Sequence, residues 1–235
     1  MTAVLFFSGC RKNDRNLFHR LDPEDFLSGK KYEKLLVEVN YVSGFEPSAG
    51  ALAELRDFLE QRLNKPDGIT VISSSIPSPG QSFYSIADLK EIEDRNRMHY
   101  SGRGTLTTYV LFVDGGFSGN SGNAQVLGAA YDPTSICIFQ KTVKDFSGGP
   151  LQPSRDTLEA VVLEHEFGHL MGLVNHGTAM QVPHQDGANG HHCSNQNCLM
   201  YYNVETTDII SVLLGGYVPS LDTECINDLR ANGGK

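Results

Sequence analysis

The segment Leu158–Leu170 reads LEAVVLEHEFGHL, and its apolar residues recur every three or four positions, which predicts an amphipathic helix starting near Ser154. His165 and His169 are four residues apart, so their imidazoles project from one helix face and can reach a single Zn²⁺ at about 2.0–2.1 Å. Glu166 follows the first histidine, where its carboxylate can accept a proton from a metal-bound water. The segment therefore predicts a zinc-binding helix that carries a general base.

A third zinc ligand is expected after the helix. Gly172 lies three residues beyond His169, and a glycine there can adopt a positive φ and end the helix sharply. The chain can then turn back toward the metal and supply another donor. The histidines available downstream are His176, His184 and the pair His191–His192.

Two motifs resemble those of a known family of zinc peptidases. His165–Gly172 reads HExxHxxG, which resembles the opening of the metzincin signature. His192–Met200 reads HCSNQNCLM, and this HC-x4-C-x-M pattern is similar to the archaemetzincin segment that contains the third zinc histidine and the Met-turn. The resemblance implies that His192 is the third ligand, that Leu173–His191 contains an insertion, and that Met200 packs beneath the metal without binding it.

The resemblance leaves alternatives for the third ligand open. Metzincins have a histidine at the position occupied here by Asn175, so His176 and His184 remain alternatives to the favoured histidine. A gluzincin arrangement, with Glu205 as the third ligand, is a further alternative. The same resemblance implies that Tyr202 stabilises the oxyanion of the reaction.

The cysteines after the helix depart from the archaemetzincin pattern. That family completes a structural four-cysteine zinc site with a later Cys-x-x-Cys, whereas this chain offers only Cys225 in that region. An all-cysteine site of that kind cannot be built, and we expect a Cys193–Cys198 disulfide in an oxidising compartment, with Cys225 approaching the same corner. Cys137 lies in an apolar run and is predicted to be a core residue.

The N-terminus resembles a bacterial lipoprotein signal. Met1–Cys10 reads MTAVLFFSGC, in which small residues precede a cysteine that would be lipidated after export. Residues 11–30 would then form a tether, and the protein would be lipid-anchored in the cell envelope (periplasm or outer surface) or secreted. The alternative is a buried N-terminal strand with a free thiol. Any membrane association is expected through Cys10 alone, because no apolar run approaches the roughly 20 residues that span a bilayer.

The order of the predicted elements indicates an α/β (α+β) protein with a mixed twisted sheet, and the resemblance implies a metzincin-like zincin fold. The catalytic domain is expected over residues 31–235, with an upper lobe at 31–172 and a small irregular lower lobe at 173–235. By resemblance, the strand Leu127–Tyr131 lies at the sheet edge and pairs with an extended substrate. Predicted strands are Lys34–Val42, Ile69–Ile72, Leu106–Val113, Val126–Tyr131 and Ser135–Gln140, with helices at 47–64, Ser85–Met98, from Ser154 onward and Leu221–Leu229.

The amino-acid composition favours some classes of function over others. The 235 residues are 40% apolar and 20% charged, a globular balance, and the net charge of −9 disfavours nucleic acid as a partner. We predict a monomeric zinc-dependent endopeptidase with one catalytic Zn²⁺ that acts on a peptide or protein. The alternative is a surface lipoprotein that binds protein or glycan and retains a vestigial zinc site. Glu166 favours the enzyme, because a binding module does not need a general base.

Overall fold

The computed structural model describes residues 21–121 and 123–235. Its main sheet comprises β1 (Lys34–Val42), β2 (Ile69–Ile76), β4 (Thr105–Phe112), β6 (Gly128–Asp132) and β7 (Ser135–Ile138), in the order β2-β1-β4-β7-β6. All neighbouring strands are parallel except β6, which runs antiparallel to β7 at the sheet edge. The expected mixed α/β sheet is therefore confirmed. A separate parallel pair joins β3 (Phe83–Tyr84) to β5 (Gly116–Phe117).

Helices cover both faces of the sheet. The helices are α1 (Pro23–Leu27), α2 (Ala49–Arg62), α3 (Ile86–Asn96), α4 (Gln140–Asp145), α5 (Arg155–Leu170), α6 (Ile209–Leu214) and α7 (Thr223–Ala231), with a 3₁₀ helix at Tyr202–Glu205. α2 and α5 pack together on one face, and α3 packs on the other. Strand β4 supplies both cores because its side chains alternate: Val110 and Phe112 face α5, whereas Tyr109 and Leu111 face α3. Among the described residues, no helix is both long and apolar enough to cross a bilayer.

Several elements differ from the sequence prediction. β2 continues to Ile76 because its polar end pairs with β1 at the sheet edge, where serine side chains can face solvent. β7 stops at Ile138, and the chain then turns into α4, which was not predicted. Helix α6 and the 3₁₀ helix were also missed, since they contain too few residues for a clear periodicity, whereas the predicted closing helix is present as α7. The core position of Cys137 is confirmed, with its side chain fully buried.

The proposed tether needs a correction. Helix α1 lies within its residues 11–30, and Phe26 and Leu27 are buried in the main core. Their apolar side chains bury against the fold more favourably than they would remain in solvent. The proposed lipidation site, Cys10, lies outside the described residues.

Candidate metal centre

Helix α5 positions two of the predicted ligands and the predicted base. The side chain of Ser154 caps its first turn by accepting a hydrogen bond from the backbone N–H of Thr157. The helix packs beneath the sheet, which leaves His165 and Glu166 buried and His169 partly exposed. One turn of the helix therefore presents two imidazoles and a carboxylate at the boundary between the protein core and the solvent.

The helix ends at the glycine identified in the sequence. Gly172 has φ of 76°, and its N–H donates to the carbonyl of His169, while the N–H of Leu173 donates to the carbonyl of Gly168. These two bonds define a Schellman motif, which confirms the predicted sharp end of the helix. A Cβ on Gly172 would lie 2.5 Å from Cγ of Pro23, so close packing also requires the glycine.

Three histidines converge at this end of α5. The Nε2 atoms of His165 and His169 are 3.1 Å apart. The ring of His192 is centred 5.3 Å from that of His165 and 5.0 Å from that of His169. The structure thus brings together the three histidines that the sequence favours as ligands.

Backbone carbonyls orient two of these imidazoles. Nδ1 of His165 is 2.7 Å from the carbonyl oxygen of Leu199, and Nδ1 of His192 is 2.6 Å from that of Asn189. An imidazole that donates its Nδ1–H in this way keeps Nε2 as a free acceptor, the atom that binds a metal. Nε2 of His192 is buried without a hydrogen-bond partner among the described residues. Burial lowers the pKa of His165 to about 4, so that imidazole is neutral, as metal binding requires.

The alternative third-ligand histidines lie elsewhere. His176 and His191 pair with each other at the rim of the site, with ring centroids 4.4 Å apart. His176 is farther from the centre, its ring 6.2 Å from that of His169. His184 contacts Cys193 and belongs to a different cluster. Of the sequence candidates, His192 has the position that fits a third ligand.

Glu205 joins the histidines rather than replacing one of them. Its Oε2 lies 3.6 Å from Nε2 of His192. One donor atom each from Glu205 and the three histidines lie within 4.8 Å of one another. The sequence suggested Glu205 only as a substitute third ligand, because spacing along the chain did not show that it and His192 approach the same point.

The predicted base is enclosed. Both carboxylate oxygens of Glu166 are buried without hydrogen-bond partners among the described residues. Burial, followed by the nearby charge of Glu205, raises the pKa of Glu166 well above its ordinary range. Strand β6 covers this side chain so closely that a Cβ on Gly128 would lie 2.9 Å from its Oε1. The carboxyl group of Glu166 is therefore held against the first residue of the edge strand, next to the histidines.

The fully buried Met200 forms the floor of the site. A Cβ added to Gly168 would lie 2.2 Å from its sulfur, so the methionine packs directly on the backbone of α5. Tyr202, expected to stabilise the oxyanion, opens the 3₁₀ helix and packs against Tyr201, with ring centroids 4.6 Å apart. Its role in the reaction stays a prediction.

A second cluster of donor atoms, here called the thiol cluster, lies next to the backbone of Met200. It comprises Cys193, Cys198, Cys225, His184 and Asp222. Sγ of Cys193 is 3.3 Å from Nδ1 of His184 and 3.4 Å from a carboxylate oxygen of Asp222, and the sulfurs of Cys198 and Cys225 are 3.6 Å apart. The neighbouring Cys198 and Cys225 thiols lower the pKa of Cys193. Thiolates and an imidazole are ligands that zinc prefers.

The expected Cys193–Cys198 disulfide is not formed in the structure. Cys193 and Cys198 are free thiols in the structure. Each sulfur instead accepts a hydrogen bond from the backbone N–H two residues later, from Asn195 and Met200 respectively. These bonds orient the sulfurs of Cys193 and Cys198, and Cys225 approaches the same corner as expected, its sulfur 3.6 Å from that of Cys198.

A cavity of about 600 Å³ opens beside the histidines. His169 and His176 line one side, and Ala130 and Tyr131 of the edge strand line another. The remaining lining is mixed: Leu21, Pro23, Phe26, Pro133 and Leu170 are apolar, whereas Asp22 and Asp132 contribute carboxylates. The metal-facing helix therefore borders a space large enough for part of a peptide.

Sequence comparison identifies no relatives: no protein-family model and no curated protein matches the chain. Among solved structures, the fold is similar to that of archaemetzincin from Methanopyrus kandleri, with a TM-score of 0.48 and 12% identity over 86% of this chain and 96% of that chain. At this level of similarity, the function has to be inferred from the side chains of the site.

Those side chains fit a zinc ion. Neutral imidazoles and a carboxylate are common zinc ligands, and bonds of about 2.0–2.1 Å place neighbouring donors of a tetrahedral ion about 3.3 Å apart. The distances of 3.1 Å between the nitrogens of His165 and His169, and 3.6 Å between His192 and Glu205, are close to that value. The unpaired Nε2 of His192 indicates the direction in which such an ion would lie.

Proposed function

We propose that the protein is a zinc-dependent endopeptidase. The observation that carries this proposal is the convergence of His165, His169 and His192 beside the buried carboxylate of Glu166. A binding site for a peptide alone would not need an unpaired carboxylate, which is costly to bury. A zinc hydrolase needs that group next to its ligands, where it can receive a proton.

The three histidines would hold the ion, which when bound supplies an acidic water and polarises the peptide carbonyl. Glu166 accepts a proton from the attacking water and donates it to the nitrogen of the leaving amine. Its raised pKa suits the first step, because a carboxylate with a raised pKa accepts a proton more readily. Tyr202 would stabilise the developing oxyanion, and Met200 supports the helix from below.

The edge strand and the cavity favour an extended peptide as substrate. β6 is the last strand of the sheet, so one of its backbone edges can pair with an added strand. Its residues Ala130 and Tyr131 also line the cavity beside His169. A peptide paired with β6 would pass over the histidines, while one of its side chains enters the cavity, whose lining combines apolar side chains with Asp22 and Asp132.

We also propose that the thiol cluster holds a second, structural zinc ion through Cys193, Cys198, Cys225 and His184. Nε2 of His184 lies 2.8 Å from a carboxylate oxygen of the buried Asp228, which orients the ring as carboxylates do behind zinc-bound histidines. The N–H groups directed at two of the sulfurs favour their thiolate forms. The number of zinc ions would then be two rather than one.

The test of the catalytic proposal is Glu166→Gln, which keeps the size of the side chain and removes the base. We expect unchanged zinc content by elemental analysis and a loss of activity of about 10²- to 10⁴-fold on a fluorescently labelled unfolded protein. Glu164→Gln, two residues earlier and outside the site, is the matched control. It should keep both its zinc content and its activity. An active Glu166→Gln protein would reject the mechanism.

A protein- or glycan-binding lipoprotein with a vestigial zinc site remains the second hypothesis. It requires the wild-type protein to bind zinc at the histidines and yet to cleave no peptide. The proposed envelope location and lipid anchor at Cys10 suit either function. Activity of the wild-type protein in the same assay distinguishes the two.

A further inference from the structure

Glu205 is fixed beside the histidines by the backbone on both sides of it. Its carbonyl accepts a hydrogen bond from the N–H of Leu127, immediately before β6. Two residues later, the N–H of Thr207 donates to the carbonyl of Gln125, and its hydroxyl accepts from the N–H of Gln125. The 3₁₀ turn carrying Glu205 is therefore tied to the edge strand, and its carboxylate cannot easily leave the centre by movement of the backbone.

The partly buried surroundings of Glu205 would be stabilised by a bound cation. Its side chain is two-thirds buried, with a relative exposure of 33%. The nearby Glu166 is fully buried, and its two carboxylate oxygens have no hydrogen-bond partner among the described residues. Carboxylates in such surroundings are costly to bury unless they are paired, and a cation held by the histidines would provide a partner.

We propose that Glu205 is a fourth protein ligand of the catalytic ion, which closes the centre in the resting protein and is displaced when substrate binds. The inference rests on the proposed zinc site and concerns its regulation. A zinc ion with four protein ligands has no position for a reacting water, whereas one with three does. The 3.6 Å separation between Glu205 and His192 suits two neighbouring ligands of one tetrahedral ion.

The consequence is a competition between Glu205 and any other ligand of the ion. In the wild-type protein, a small chelating inhibitor has to displace the carboxylate before it can bind. Removing the carboxylate should therefore weaken zinc binding and strengthen inhibitor binding. A residue that merely lies near the ion would not give these two effects in opposite directions.

The test compares wild type with Glu205→Gln and Glu205→Ala, using zinc and acetohydroxamate as probes. We expect zinc affinity, from competition with a chromogenic chelator, to fall at least 10-fold in both variants. Acetohydroxamate affinity for the zinc-loaded protein, from calorimetry, should rise at least 10-fold. Asp208→Asn removes an exposed carboxylate three residues later and should change neither value.

Equal zinc and acetohydroxamate affinities in wild type and both variants would overturn the role of Glu205 while leaving the three-histidine site intact. Absence of stoichiometric zinc in the wild-type protein would instead reject the proposed function. A crystal structure of zinc-loaded wild type provides a test that needs no variant. A carboxylate oxygen of Glu205 about 2.0–2.2 Å from the ion supports the proposal, and a water in that position contradicts it.

Discussion

The histidine centre and the thiol cluster are supplied by consecutive residues of one loop, yet their environments differ. His192 faces the histidines of α5, whereas Cys193 faces the interior of the C-terminal region, where it contacts His184. Cys193 pairs with Gln185 in an antiparallel bridge, so the chain is extended there and neighbouring side chains point in opposite directions. One residue of extended chain therefore separates a centre suited to catalysis from one suited to stabilising the fold.

Access to solvent and the nature of the donors explain this division. The histidine centre contains a partly exposed His169, a general base and an adjoining cavity. The thiol cluster has fully buried sulfurs, including that of Cys225, and the Asp222 carboxylate beside them accepts hydrogen bonds from the side chain of Asn195 and the N–H of Cys225. Closed sulfur-rich zinc sites stabilise folds, and accessible histidine sites perform catalysis. Substitutions in either site, between the sites or at the rim should therefore have different effects.

The largest effect is expected for His192→Ala. Loss of a direct ligand should lower zinc affinity of the catalytic centre more than about 100-fold, because residues that only orient a ligand already contribute about 10- to 100-fold. Titration with a chelator and peptidase assays would measure the loss. His184→Ala should leave this centre loaded, and a greater loss of catalytic zinc there than in His192→Ala would overturn the choice of third ligand.

Cys225→Ser tests the thiol cluster. We expect the protein to lose one of two zinc ions and more than about 2 kcal/mol of unfolding free energy, because structural zinc contributes directly to folding. Elemental analysis and urea denaturation would measure both. Cys137→Ala, which removes a buried thiol outside the cluster, should keep both ions. Wild-type protein that is destabilised by a reductant but not by a chelator would favour a disulfide instead.

A smaller effect is expected for Gly168→Ala, which alters the layer between the two sites. In most helix interiors this change stabilises by about 0.5–1 kcal/mol, but here the new Cβ would lie 2.2 Å from the sulfur of Met200. We expect a loss of about 1–3 kcal/mol from overpacking, measured by urea denaturation. The loss should disappear when Gly168→Ala is made in a Met200→Ala background. Persistence of the full loss there would contradict this packing.

The smallest effect is expected for His176→Ala. His176 lies at the rim, its ring 6.2 Å from that of His169, and it is not part of the group of donor atoms. Zinc binding should change by less than about 0.5 kcal/mol, as for a surface substitution. A larger loss, measured by chelator competition, would show that the rim contributes to the metal site.

Local patterns made much of the fold predictable. The strand Lys34–Val42 was predicted with its observed limits, because a run rich in β-branched residues favours a strand wherever it is buried. Helix α5 and its end at Gly172 were likewise predictable from periodicity and from the conformational freedom of glycine. Short elements such as α4 and α6 were not, since tertiary contacts rather than local preference fix them.

The sequence alone determined the pair of histidines and the adjacent Glu166, because residues one to four positions apart on a helix have a fixed spatial relation. Only the tertiary structure decided that His192 rather than His184 lies beside them, that Glu205 joins them, and that Cys225 meets Cys193 and Cys198. The number of residues in a loop does not determine the path that the loop follows across the fold. That path depends on which side chains pack against the core and which backbone groups find partners, and those contacts come from residues far apart in the chain.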